Sequence, residues 1–283
     1  MKEFEGIWQP DHPEVRPNYD HVNKEFIEYE DKWATFKVAK TYNGIVGNDS
    51  QPKETGQRFL DAIKHYFPYI LNKIEVFKRN DEVGGPFIYE YDDGTIISPG
   101  TLAYMYVVGD LEKYFGKLSP ITRIVEIGPG YGGLCVTTLL HQLISTYAII
   151  DLPDSLKVVN KYLSHFPDLL ENTYVDLYNT NGIPTGVPYD IAISSYCLTE
   201  LDDVGVNFYV DNIIKNCNGC YIESNFNCTK VVARRNEGRQ DALIAKLEDI
   251  FDEVLVINIQ DEFKDFMTDR GPFSTQKIIG RNK

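Results

Sequence analysis

The sequence is short of positive charge, sparing with cysteine and without any long apolar run. Lysine and arginine number 28 against 42 aspartates and glutamates, a formal net charge of −14. Phosphate backbones need a basic field, so nucleic acid is not the expected partner. A small or neutral acceptor fits better. No apolar run approaches the ~18 residues that span a bilayer. The opening Met-Lys-Glu-Phe-Glu-Gly lacks the apolar core of an export signal. These absences predict a soluble, cytoplasmic protein with no membrane partner. The cysteines stand at 135, 197, 217, 220 and 228, an odd set that reads as reduced thiols. Cys217 and Cys220 have C-x-x-C spacing, but no second pair exists, and Asn218-Gly219 suits a turn between helix and strand. No histidines stand at i, i+4, so no dedicated metal site is expected. There is no internal repeat and no low-complexity segment.

What is present centres on Arg123-Ile-Val-Glu-Ile-Gly-Pro-Gly-Tyr-Gly-Gly-Leu134. It predicts a buried strand over 124–127, a glycine-rich turn, and a helix from about Gly133. Gly128, Gly130 and Gly132 leave a ligand room and accept dihedrals that other residues avoid. The helix behind them aims free N–H groups and a positive dipole end at the turn. The run also satisfies the dinucleotide fingerprint through Gly128, Gly130 and Gly133, so a nicotinamide cofactor stays open. Three acids favour another ligand. Glu126 lies inside the strand, where it would repel a pyrophosphate and welcome a cationic amino-acid end. Asp151 ends a second strand, Ala148 to Asp151, 23 positions after Gly128, where a carboxylate grips both ribose hydroxyls. Asp176 lies near the end of a third strand, 172–176, and suits an adenine amino group. Each acid has a plainer reading: Glu126 paired with Arg123, the others merely terminating strands.

Val-Glu-Ile-Gly-Pro-Gly-Tyr-Gly-Gly resembles motif I of class I S-adenosylmethionine-dependent methyltransferases. Together with Ile150-Asp-Leu-Pro153 and Tyr189-Asp-Ile-Ala-Ile-Ser-Ser-Tyr-Cys-Leu-Thr-Glu-Leu201, it resembles the sugar O-methyltransferase family. The resemblance to the class covers roughly 100–283. It implies a Rossmann-like seven-stranded, mostly parallel sheet with one antiparallel strand. It also implies S-adenosyl-L-methionine as cofactor, held by Glu126, Gly128, Gly130, Tyr131, Gly132, Asp151, Leu152, Asp176, Ser194 and Ser195. The narrower resemblance implies methylation of a hydroxyl on a sugar or nucleotide-sugar, in glycan biosynthesis.

The rest of the chain agrees with that plan. Residues 1–99 read as a cap of helices and a hairpin, and 100–283 as the methyltransferase domain. Residues 1–18, with Pro10, Pro13 and Pro17, predict an extended arm. Val22, Phe26, Tyr29, Trp33 and Phe36 form one stripe of a helix over 19–40, stopped by Asn43-Gly44. The stripe reads as packing, with a lid or homodimer contact as the alternative. A second helix spans 55–79, and Pro68 must kink it or open another. Residues 87–97 predict a hairpin with an Asp-Gly turn, and a helix follows over 101–115. Later segments alternate: helix 153–163, strand 190–194, helix 200–216 opened by a Thr199/Asp202 capping box, strand 220–224, and helix 229–251. Strands at 253–259 and 275–280 close the chain, giving the antiparallel pair.

Methyl transfer to an aliphatic hydroxyl benefits from a general base. Glu200, which matches the acid of the sugar family's Ser-x-Tyr-x-x-x-Glu-like segment, is the catalytic candidate. Its plainer reading is an acid in a helix's first turn, stabilising by about 0.3–1 kcal/mol. Ser194, Ser195 and Tyr196 stand where the acceptor should lie, and Tyr196 is assigned to substrate. The Asn/Asp-Pro-Pro-aromatic run of enzymes that methylate base amines is absent there. Arg234, Arg235 and Arg239 suit a diphosphate, or simply a solvated helix face. The histidines at 12, 21, 65, 141 and 165 are weak rivals as base. A methyltransferase of another metabolite, a nicotinamide-dependent oxidoreductase and a binding protein without turnover are the alternatives.

Overall fold

A computed structural model describes residues 19–39, 51–180, 182–183, 186–224, 238–263 and 276–282. The predicted arm over 1–18, the Asn43-Gly44 stop, Cys228, Arg234 and Arg235 lie outside the described residues.

Seven strands form the central sheet in the order β5-β4-β3-β6-β7-β9-β8. They are β3 (Arg123–Ile127), β4 (Thr146–Asp151), β5 (Tyr174–Asn179), β6 (Tyr189–Ser195), β7 (Cys217–Ser224), β8 (Glu253–Asn258) and β9 (Gln276–Arg281). β9 runs antiparallel to both of its neighbours, and the pairs among β3 to β7 are parallel. This is the Rossmann-like, mostly parallel sheet the sequence predicts. The order reverses between β3 and β6. In open α/β sheets ligands bind at such a switch point, beyond the carboxyl ends of the strands.

Both sheet faces are covered, as parallel strands require. Ile124, Tyr147, Ile149, Ile191, Ile193 and Tyr221 pack into one core with helices α3 (Pro99–Phe115), α4 (Gly133–His141) and α5 (Pro153–Leu163). Val125, Ile127, Ala148, Ala192, Cys220 and Ile222 pack on the other face with α6 (Cys197–Glu200), α7 (Asp203–Asn212) and α8 (Arg239–Glu248). Alternate residues of each strand thus feed different cores.

The N-terminal helices α1 (Tyr19–Glu28) and α2 (Lys53–Tyr66) join the first of these cores. The predicted stripe is spent on internal packing: Phe26, Trp33 and Phe36 are buried. It is not one continuous helix. Tyr29 is extended, and its side chain is 54% exposed because the break shifts the helical phase. Pro68 opens a 3-10 helix, Pro68–Lys73, so α2 stops at Tyr66. The hairpin forms from β1 (Tyr89–Glu90) and β2 (Ile96–Ile97), with Gly94 at φ 83° in its turn.

Ser98 caps α3 by accepting from the Thr101 amide at 3.1 Å, with Pro99 in the first turn. The Asp81 carboxylate accepts from the Ser98 hydroxyl at 2.6 Å and the Thr101 hydroxyl at 2.5 Å. This buried, hydrogen-bonded knot ties the N-terminal region to α3.

Candidate active site

The glycine turn has the geometry its sequence demands. Gly128, Gly130 and Gly132 have φ of 71°, 61° and 94°. A Cβ on Gly128 would also lie 2.4 Å from the Cys197 Cβ, so both backbone and packing require glycine there. Gly132 stands as the left-handed residue before α4, whose free N–H groups face the turn.

Strand register assembles the rest. Glu126 is level with Ile149 of β4 and Ile193 of β6. Two positions further along, Gly128 is therefore level with Asp151 and Ser195. Asp151 pairs with Asn179 of β5, and Ser195 with Glu223 of β7. Glu223 in turn pairs with Lys277 of β9. One row thus crosses the carboxyl edge: Asn179, Asp151, Gly128, Ser195, Glu223, Lys277. The chain also leaves β7 and enters β9 at this edge.

Glu126 lies beneath the row, 2% exposed. Its carboxylate accepts from the Tyr147 hydroxyl at 2.8 Å and is not paired with Arg123. Burial pushes it up to about 7, against the Tyr147 bond, with Asp151 adding repulsion. Arg123 turns to the ring of Tyr189, and its amide donates to Asp190. Asp151 is likewise raised to about 7 by burial, against bonds from the Leu152 amide and Ser155, with Glu200 adding repulsion. Leu152 donates that amide bond at 2.6 Å.

β6 ends in a strained residue. Tyr196 has φ 68°, and no other described non-glycine residue has a positive φ. Its amide donates to the Glu223 carbonyl at 2.9 Å, so the strain is held by the neighbouring strand. The turn brings Cys197 against Gly128 and starts α6. Glu200, at the end of α6, is exposed and sits within electrostatic reach of Asp151.

Several sequence expectations change here. Thr199 is no cap, because its hydroxyl turns back to the Tyr196 carbonyl. Asp202 caps α7 instead, accepting from the Gly205 amide at 2.7 Å. Glu200 therefore precedes α7 rather than opening it. Asp176 is not near a strand end: β5 continues through Leu177 and Tyr178 to Asn179, which occupies the edge beside Asp151. Tyr131 is fully buried, edge-on to Phe36, Tyr104 and Tyr162, with the Lys37 ammonium 4.6 Å from its ring centroid. Its side chain anchors the turn from below and offers no ligand face. Ser194 is 1% exposed, and strand alternation puts it on the sheet face away from Ser195 and Glu126. Its hydroxyl has no hydrogen-bond partner among the described residues. Arg239 anchors α8 to Asp203 and the Leu201 carbonyl.

Cys217 and Cys220 lie within β7, not in a turn. Burial pushes both thiols up to about 12, which disfavours the thiolates a metal or redox pair needs. Among the described residues no group of three His, Cys, Asp or Glu is placed to hold a metal ion. His141 is buried against Glu112 at the far end of α4, and His165 accepts from the Trp33 indole. An open concavity of about 650 Å³ lies at the opposite, amino edge of the sheet. Among the charged groups that line it, Arg281 is engaged with Glu253, and Asp190 with Asn218 and the Arg123 amide.

Glu223 and Lys277 escaped the sequence reading. The signal for Glu223 was present, an acid near the end of a predicted strand, as for Asp151. Lys277 is fully buried between Asp110, at 2.6 Å, and Glu262, and accounts for a lysine inside an apolar strand.

No family model matches the sequence, and no curated protein does either. Solved structures share its general plan. The mitomycin 7-O-methyltransferase MmcR is 14% identical, with 64% of this chain and 56% of its own covered, at a TM-score of 0.41. An O-methyltransferase family protein from Burkholderia thailandensis is 13% identical over 64% of this chain and 59% of its own, at 0.42. The methyltransferase domain of bacterial CtHen1-C is 14% identical over 64% of this chain and 97% of its own, at 0.46. This chain spans little more than half of the first two. At such identities and scores the likeness says nothing about cofactor or substrate.

Proposed function

We propose that this protein is an S-adenosylmethionine-dependent methyltransferase acting on a hydroxyl of a sugar or nucleotide-sugar. The observation that carries the cofactor assignment is Glu126. A buried carboxylate beneath a glycine turn, one strand from Asp151, repels a pyrophosphate and suits a cationic amino-acid end. The residues fit the group. Gly128, Gly130 and Gly132 let it approach, Asp151 takes the ribose hydroxyls, and Asn179 replaces Asp176 at the far end of the site. When bound, the cofactor supplies an electrophilic methyl group. The protein's own work is to position, to exclude water and to accept a proton.

The acceptor assignment is supported by the resemblance of the three segments to the sugar O-methyltransferase family. Tyr196 and Glu200, at the mouth of the site, are assigned to the acceptor, with Glu200 holding one of its hydroxyls. Arg234 and Arg235 are assigned to a diphosphate.

Calorimetric titration with S-adenosylhomocysteine and, separately, NAD tests the cofactor. The first should bind and the second should not. Asp151→Ala should weaken binding by at least about tenfold, because two hydrogen bonds to a charged group are lost. Binding of NAD alone overturns the assignment. A labelled methyl donor offered with a panel of nucleotide-sugars then tests the acceptor.

A further inference from the structure

We propose that Glu223 is the group that takes the proton from the acceptor, with Ser195 positioning it. This rests on the methyltransferase reading above.

The geometry is that of the row. Register sets Glu223 beside Ser195 on one side and Lys277 on the other, two strands from Gly128. Strands lie about 4.8 Å apart, so the carboxylate stands roughly 10 Å along the edge from the glycine turn. It shares a sheet face with Glu126, Ser195 and Tyr221, and the Ser195 hydroxyl donates to it. Unlike Glu126, it keeps part of its surface exposed at the edge. It therefore opens onto the acceptor side of the switch point, where a proton must leave.

Its surroundings suit a base. The groups facing it are Ser195 from β6, Lys277 from β9, Tyr221 on its own strand and Asp110 from α3, and Tyr106 from α3 bonds Lys277. Glu262, from the short helix α9 (Ile259–Phe263), completes the set through Lys277. The Lys277 ammonium is held by Asp110 and Glu262, so it biases Glu223 without pairing with it. Burial is the largest influence and raises the carboxyl to about 7. A carboxylate of ordinary acidity is a poor base for a hydroxyl, and one poised near the working pH is better. In the step, the acceptor O–H proton passes to a Glu223 oxygen as the acceptor oxygen bonds the methyl carbon. The methyl–sulfur bond breaks with its electron pair left on sulfur, and Glu223 then returns its proton to water.

Glu223→Gln should bind S-adenosylhomocysteine within about twofold of the parent. Its turnover, on whichever nucleotide-sugar the parent methylates, should fall by about 10²–10⁴. Infrared difference spectra of the ligand-free protein between pH 6 and 8 should show Glu126, Asp151 and Glu223 losing protons in the parent, and the Glu223 share of that signal should be missing in Glu223→Gln. Ser195→Ala removes a bond to the ionised form, so this titration and the rising limb of the pH–rate profile should both move to higher pH. Unchanged turnover in Glu223→Gln overturns the proposal alone. So does an infrared signal undiminished in that variant, which decides the matter even if no acceptor is found. Should Glu223→Gln fail to fold, an unmoved limb in Ser195→Ala overturns it. Failure of the parent to bind S-adenosylhomocysteine overturns the methyltransferase reading instead.

Discussion

At position 126 a carboxyl group is buried in the central strand, and its cost depends on pH. Its pKa rises from the ordinary 4.5 to about 7, burial being the main cause. Below about 4.5 the group is neutral whether the chain is folded or not, and stability is undiminished. As pH rises to about 7 the unfolded chain ionises first, so folding stability falls. At one pKa unit per ~1.4 kcal/mol the loss is roughly 3 kcal/mol. Glu126→Gln should therefore stabilise the ligand-free protein at pH 8 by up to about that amount, and hardly at all at pH 4. It should also weaken S-adenosylhomocysteine binding, because the ligand's ammonium loses its counter-charge. Urea titrations at the two pH values check the first claim, and a pH-independent difference sinks it. Gly128→Ala should act in the opposite sense. The left-handed backbone alone costs roughly 1–2 kcal/mol, and the Cβ meets Cys197. A crystal structure or binding curve indistinguishable from the parent would refute that account. Glu126, Asp151 and the three glycines were legible because acid-before-glycine and acid-at-strand-end are local patterns. The left-handed turn at Tyr196 was not: its positive φ is held by the Glu223 carbonyl on β7, a contact no local pattern reports.

Between single residues and the whole chain stand the ends of elements, where local signals compete. Thr199 and Asp202 are both good caps, three residues apart. Sequence favours neither strongly, but the Tyr196 turn captures the Thr199 hydroxyl and leaves the role to Asp202. Asp202→Ala should then lower stability by about 1 kcal/mol. For a chain of this size that is a fall in melting temperature on the order of 2 °C. Binding of S-adenosylhomocysteine should be nearly unchanged, since α7 packs on the sheet face away from the acid row. Thr199→Val should cost less, and the reverse ranking would restore the capping box expected from sequence. The other misplaced ends have similar causes. β5 runs past Asp176 because Leu177 and Tyr178 continue its alternation and pair with β4. The aromatic stripe after Tyr19 breaks at Tyr29 because Trp33 stacks on His165 and Phe36 meets Tyr131 edge-on, contacts with the body that a straight helix does not require.

Across the molecule, the sheet order followed from the alternation of strands and helices and the closing strand pair, since connection rules leave few ways to assemble them. The relation of the N-terminal region to the sheet did not. Sequence suggests a cap laid over a separate domain, because the pattern changes near residue 99. The described N-terminal residues instead belong to the core on one face of the sheet. Phe26, Trp33, Phe36, Ile63 and Phe77 pack in the same cluster as Tyr131, Tyr162 and the central strands, and the Asp81–Ser98–Thr101 knot seals the junction. A region with no apolar core of its own should not unfold alone. With Trp8→Phe as background, Trp33 becomes the sole tryptophan, and its fluorescence reports the N-terminal region. Its urea transition should coincide with that of the far-ultraviolet circular dichroism, which reports the whole sheet. S-adenosylhomocysteine at a hundred times its Kd should shift both by the same ~2.7 kcal/mol, because one folded state binds it. A fluorescence transition at lower urea, unmoved by ligand, would mean the N-terminal region is a detachable cap. The burial of Tyr131 would then have to be explained without it. Coincidence ties the glycine turn to Phe36 through Tyr131, so the residues that fold the N-terminal region also hold the cofactor turn in place.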